Sequence, residues 1–137
     1  YYLTNSKIVT EILPNLISEE GIIGKAFGNH LLEYENCISN TDNHPWVQRK
    51  VDLMNEISVY GTNITSSSGT ERGVDNKQYA IFQLKPELIY SYDNIPFHYW
   101  LNNISSENTF SHVNDFGTCG IFPSSGMRGI RPRFLIG

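Results

Sequence analysis

Charge is scarce in this sequence. Only 18% of the 137 residues are charged, 10 Lys+Arg against 14 Asp+Glu, which leaves a net charge of -4. So few cations, in acidic balance, argue against non-specific nucleic-acid binding, which needs clustered Lys and Arg to displace counterions. No apolar run approaches the roughly 18 residues of a membrane-spanning helix, so no membrane insertion is expected. Two cysteines, Cys37 and Cys119, allow at most one bridge. That is too few for a disulfide scaffold, and two free, partly buried thiols are the favoured reading. Residue 1 is Tyr and nothing resembles a signal peptide. There is no internal repeat and no linker. Residues 1–137 are expected to be one domain, the C-terminal part of a longer chain.

Several chemical signatures are missing as well. His30, His44, His98 and His112 are scattered, with no His-x-His or His-Glu-x-x-His spacing. No nucleophile elbow, Walker loop or dinucleotide glycine pattern occurs. Glu19-Glu20 and the pair Glu33 and Glu35 invite a glycosidase reading, but solvated positions beside core residues explain them more simply. Asn63-Ile64-Thr65 and Asn103-Ile104-Ser105 match the N-glycosylation pattern, which arises readily in a chain this rich in Asn and Ser. No catalytic residue, metal ligand or cofactor is expected.

What the chain has instead is neutral polarity and aromatic bulk. It holds 14 Asn and 13 Ser, with 8 Tyr, 7 Phe and 2 Trp. Disordered chains lack aromatics and carry charge, so disorder is excluded. A chain of this length buries roughly 68–70% of its unfolded surface.

Helices are expected first. Thr4-Asn5-Ser6 forms an N-cap cluster before Ile8, Ile12 and Leu13 at helical spacing. Pro14 should end or kink that helix. Asn15 would cap a second one, weakened by Gly21 and Gly24 and ended by Gly28. His30 to Tyr34 reads as extended, Ile38 to Trp46 as a loop, and Val51 to Tyr60 as strand or short helix. The polar stretch Gly61 to Asn76 reads as a surface loop. Tyr79 to Leu84 reads as a strand. Short strands follow at Phe97 to Leu101, Phe110 to Val113, Gly120 to Phe122 and Ile130 to Ile136. The order, helices and then a compact antiparallel sheet, suggests an α+β domain.

The C-terminal third has its own texture. No Lys or Arg occurs from Pro86 to Met127, and then Arg128, Arg131 and Arg133 arrive together. Between Trp100 and Arg128, amide and hydroxyl side chains mix with Phe110, Phe116, Ile121 and Phe122. Such a mixture suits adaptable recognition, though it also suits ordinary loops of a β-rich domain. In the closing motif, Ile130, Phe134 and Ile136 share one strand face. Pro132 implies an edge position or a bulge. Arg131 is read as a structural clamp on backbone carbonyls or a carboxylate rather than a ligand contact.

These motifs are similar to those of the C-type-lectin-like fold family in its prokaryotic and phage form. The residues concerned are Tyr99-Trp100-Leu101, Phe110-Ser111-His112-Val113, Gly117 and Gly129-Ile130-Arg131-Pro132. Upstream, Ala26 to Leu32 and Lys50 to Gly61 resemble the same extended family in phage tail-associated proteins. The family includes formylglycine-generating-enzyme-like domains and the variable proteins of diversity-generating retroelements. The resemblance implies a compact mixed domain that ends in a β-sheet, with variable loops facing a ligand. In retroelement-diversified members the exposed sites carry residues of the kind found from Asn102 to Phe122. Calcium-dependent lectins pair two motifs, whereas this chain has only Val113-Asn114-Asp115, so calcium-dependent sugar binding is not expected. Cys37 and Cys119 do not reproduce the copper-binding cysteine pair of the formylglycine-generating enzymes, so oxidase activity is not expected either.

The resulting expectation is a non-enzymatic recognition domain of a phage or bacterial surface protein, on a virion or extracellular surface. It would bind a host cell-surface protein or glycan through Asn102, Asn103, Asn108, His112, Asn114, Phe116, Ile121 and Phe122. Trimeric display would add avidity. The rivals are a virion decoration or assembly domain, packed against virion neighbours, and a degenerate enzyme of the formylglycine-generating type.

Overall fold

The computed structural model describes residues 6–37, 46–65, 77–106 and 108–137. Helices and antiparallel strands are mixed along the chain, compatible with the α+β class. The helices do not all come first, because two of them interrupt the strands after residue 53.

Ser6 opens the first helical segment. Its carbonyl accepts from Val9 N and Thr10 N, and its hydroxyl from Val9 N at 3.4 Å. Thr4 and Asn5, expected in the same cap, lie outside the described residues. The first turns, Ile8–Ile12, are π-type, and α1 (Leu13–Ile17) continues from them. Pro14 therefore does not end the helix. It occupies the first turn of α1, where its missing N–H costs least. The break comes at Ser18, whose backbone is extended, and α2 (Ile22–Phe27) is preceded by Gly21 rather than capped by Asn15. The two helices meet backbone to backbone, for a Cβ on Gly24 would collide with the Ser18 carbonyl. Gly28, at φ +48°, ends α2 in a backbone region that glycine favours.

The chain's end is clamped to its first strand. β1 (Leu31–Leu32), β10 (Pro132–Ile136) and β4 (Val51–Leu53) form an antiparallel sheet with β10 in the middle. Leu31 faces Ile136 on one side, while Pro132 faces Leu53 and Phe134 faces Val51 on the other. β1 borders only Leu135 and Ile136, so at Pro132 the strand has β4 as its single described neighbour, a local edge in keeping with the expectation of an edge or a bulge, and Pro132 is also the first residue of the strand. Ile130 and Phe134 pack on the core as expected, whereas Ile136 is exposed. β2 (Tyr34–Cys37) pairs with β3 (Trp46–Arg49). The loop expected between them lies outside the described residues, except that Trp46 belongs to β3. Tyr34 Oη donates to the Arg133 carbonyl at 3.1 Å, and the Arg133 guanidinium lies 4.2 Å from the centre of the Tyr34 ring.

Val51 to Tyr60 is strand and helix in turn, β4 and then α3 (Glu56–Tyr60). Asn55 forces the switch. Its side chain accepts from Ser58 N at 2.7 Å, and its own N–H donates to Ser58 Oγ at 3.1 Å, a reciprocal cap. Gly61, at φ +82°, closes the helix. This places Glu56, wholly buried, at the first turn of α3.

The predicted strand over Tyr79 to Leu84 is instead a helix, α4 (Ala80–Leu84). Periodicity cannot separate strand from helix in so short an apolar run. Tertiary contact decides it: Tyr79 N donates to Ser58 O at 2.9 Å, and Phe82 alone is buried while Ile81 and Leu84 face outward. Next comes a hairpin, β5 (Ser91–Tyr92) and β6 (Ile95–Pro96), turned by Asp93 and Asn94 at positive φ.

A three-stranded meander, β7 (Tyr99–Ser106), β8 (Thr109–Val113) and β9 (Cys119–Pro123), separates two apolar clusters. Period-two alternation assigns its side chains. Trp100, Ile104 and Phe110 join Leu13, Ile23, Leu31, Val51 and Leu53 on one face. Tyr99, Leu101 and Val113 join Met54, Val59, Phe82 and Ile89 on the other. Arg131 acts as the expected clamp. One guanidinium nitrogen donates to Leu88 O at 2.6 Å, and the group lies 5.0–5.5 Å from the ring centres of Phe82, Phe97 and Tyr99.

The buried Glu56 carboxylate binds separate segments together. It accepts from Ile64 N at 2.6 Å, Thr65 N at 3.1 Å and Ser111 Oγ at 2.5 Å, and from the Thr65 hydroxyl. Burial works to raise its pKa, but the hydrogen bonds from Ile64, Ser111 and Thr65 outweigh this and hold it below 4.5.

A folded-state pKa below the unfolded one means stability present above pH 4.5 and lost as pH falls through the folded value. Glu56→Gln is expected to lower stability at neutral pH by about 3 kcal/mol, because donors are left facing an amide. It should also flatten the acid limb of a urea-denaturation series against pH. Arg131→Met is expected to cost about 2 kcal/mol through the lost carbonyl bond and cation–π contacts, lowering Tm by roughly 6 °C in calorimetry.

Candidate functional site

The eight residues expected to form a binding face fall into three groups. Asn102, Asn103 and His112 are buried. Asn103 is structural: its Oδ1 accepts from Glu56 N at 2.8 Å and so holds the start of α3. Asn102 N donates to Met54 O at 2.9 Å, tying β7 to the end of β4. His112 lies edge-on to Trp100 and Phe122, at 6.2 and 5.8 Å between ring centres, and its imidazole covers Gly120. Burial lowers its pKa, and the charges of Arg128 and His98 lower it further, so it is neutral at physiological pH. Composition signalled these side chains as adaptable donors and acceptors, but both faces of their strands are covered, so they are buried.

Asn114 and Phe116 belong to the turn between β8 and β9. Asn114 Oδ1 accepts from Phe116 N at 2.9 Å and Thr118 N at 3.1 Å, while Asn114 O accepts from Gly117 N at 3.0 Å. Gly117, at φ +84°, sits against the Tyr90 ring, and its carbonyl accepts from Tyr60 Oη at 2.9 Å. So many ties fix the turn. Its apex, Phe116, is 85% exposed. Beside it His98 Nδ1 and Asp115 Oδ1 are 2.9 Å apart, a pair that sequence spacing does not reveal.

Asn108 is exposed at the other end of β8, where its carbonyl accepts from Ser124 N at 2.8 Å. The length of β8, about 14 Å at strand rise, separates it from the Phe116 turn. Ile121, half exposed, and Phe122 lie between on β9, with side chains on opposite faces. Phe122 carries the Arg128 guanidinium 3.7 Å above its ring.

The chemistry of acids and thiols is muted. Among the described residues no group of three or more His, Cys, Asp or Glu is placed to hold a metal ion. Cys119 is a free thiol whose pKa is pushed up to about 12 by burial and by the Glu56 carboxylate, against a lowering bond with Thr65. The Cys37 side chain lies outside the described part of the molecule. No family model, curated protein or solved structure matches the chain.

Since the thiolate is the reactive species, Cys119 should resist iodoacetamide at mildly alkaline pH. Peptide mapping by mass spectrometry is expected to show native Cys119 labelled at least about a hundredfold more slowly than in denaturant. Equal rates would mean that the thiol is neither buried nor raised.

Proposed function

We propose that this chain is a non-enzymatic, C-type-lectin-like recognition domain of a phage or bacterial surface protein, on a virion or extracellular surface. Its target is a host cell-surface protein or glycan. The observation that carries this reading is Phe116, an aromatic ring 85% exposed on a turn fixed by side-chain and backbone hydrogen bonds. A rigid aromatic anchor of this kind gives contact area at small entropy cost and is the usual centre of a binding hot spot. Ile121 is half exposed on β9, the strand that follows this turn.

The fold reading is supported by where the motifs fall. Tyr99-Trp100-Leu101 and Phe110 to Val113 lie on paired strands β7 and β8, and Arg131 clamps the approach to β10. In that arrangement Asn102, Asn103 and His112 serve as framework, Asn114 holds the turn, Phe122 backs Arg128, and contact falls to Phe116, Ile121 and the more distant Asn108. Single contacts of these types are weak, and trimeric display would raise avidity through effective concentration.

Labelled protein is expected to bind intact host cells in flow cytometry. Phe116→Ala should reduce that binding at least about tenfold, the loss of about 1.4 kcal/mol, with Tm unchanged. Binding that survives Phe116→Ala with Ile121→Ser would sink the site. Across isolates, substitutions should collect at Asn108, Phe116 and Ile121 and spare Asn103. Uniform drift would favour a virion decoration domain instead.

A further inference from the structure

A second concavity, away from the Phe116 turn, has a composition out of keeping with the rest of the chain. It lies between the start of the first helical segment and the Ser124 to Ile130 segment, with β7 and β8 at its floor, and its volume is about 770 Å3. That is within the span of about 300–1,000 Å3 typical of small-molecule sites. The walls are mostly apolar, with Ile8, Trp100, Phe110 and Met127 among them. Among the described residues, the charged side chains that line it are Lys7 and Arg128, both cations, with no Asp or Glu. In a chain with net charge -4 and 10 Lys+Arg, two cations in one apolar hollow with no described carboxylate beside them form a distinct electrostatic feature.

Among the described residues, neither Lys7 nor Arg128 takes part in an ion pair. Arg128 donates from one terminal nitrogen to its neighbour's carbonyl, Met127 O, at 2.7 Å. Its Nε is buried with no hydrogen-bond partner among the described residues. The guanidinium is held in place against Phe122, and after burial its charge is one of the forces that depress the His112 pKa. A planar cation that is preorganised, part-desolvated and short of acceptors favours a carboxylate or sulfonate. The apolar walls select an aromatic or aliphatic body to accompany that group.

We infer that this pocket binds a small organic anion, an acidic head group on an apolar body, with Arg128 as the anion contact and Lys7 as a rim charge. The inference is independent of whether the Phe116 turn recognises a host surface. It predicts selectivity for charge at constant shape.

The test is fluorescence titration of the intact protein with anilinonaphthalene sulfonate and with its uncharged relative phenylnaphthylamine. The sulfonate is expected to bind saturably at one site, more tightly than the neutral dye, with affinity falling as salt rises. Arg128→Met keeps an apolar chain over Phe122 and should weaken sulfonate binding about tenfold, with phenylnaphthylamine unaffected. Lys7→Gln, on the exposed rim, should weaken it less. Ser124→Trp is expected to block both dyes, and circular dichroism and Tm report whether each variant is folded. Phe116→Ala should change neither titration, which separates this site from the proposed recognition turn. Equal affinity for the two dyes, no saturable binding, or an Arg128→Met protein that binds the sulfonate as well as the parent would overturn the assignment.

Discussion

The carboxylate of Glu56 is the joint on which the arrangement depends. Leaving a carboxylate ionised where it is wholly buried is costly unless donors replace the lost water. Here they come from the neighbouring Ile64 and Thr65, just beyond α3, and from Ser111, 55 residues away, while the backbone N–H of the same residue is taken by Asn103. One side chain therefore ties α3 to the segment after it, to β8 and, through its own N–H, to β7. Because an unsatisfied member would be expensive, the network tolerates only one relative placement of these elements.

That placement explains the character of the C-terminal third. With β7 and β8 pinned through Asn103 and Ser111, the sheet has an interior on both faces, and the polar side chains of its central strands are absorbed as framework. What remains for contact lies at the ends and edge of the meander. The Phe116 turn is rigid because Tyr60, on α3, reaches its Gly117 carbonyl. The positioning of an exposed ring is thus linked to the same helix that Glu56 anchors. At the opposite end, the return of the chain toward β10 carries Arg128 into an apolar hollow and Arg131 into a ring of aromatics. Two arginines three residues apart have different fates: one donates to carbonyls across the fold, the other stacks on Phe122 with its Nε unpartnered among the described residues.

Much of the strand pattern was legible. Alternation and turn residues located β7, β8, β9 and β10, and Pro132 with Arg131 marked the closing strand. Gly28 and the short helices near the start were also readable from local signals. Tyr79 to Leu84 misled because six residues cannot distinguish periods of 2 and 3.6 when only Phe82 is buried. Pro132 correctly marked a local edge, but that the same strand gains β1 on its other side at Leu135 and Ile136 had no local signal. The candidate site was legible as a region and not as a face. Composition picked out Asn102 to Phe122, but whether an Asn points in or out depends on register and on which sheet face is covered. Arg128 and Lys7 are far apart in sequence, so their meeting had no local signal beyond the abrupt return of cations after Met127.

By itself the sequence determined the class of molecule: a mixed, aromatic-rich chain, poor in charge and too polar for a membrane helix. It also determined the local breaks, since caps, glycines and prolines act through backbone geometry within a few residues. Tertiary structure alone decided which polar groups became framework and which stayed available. That division rests on long-range hydrogen bonds to Glu56 and on the burial of both faces of one sheet, and burial is a property of the assembled chain rather than of any segment within it.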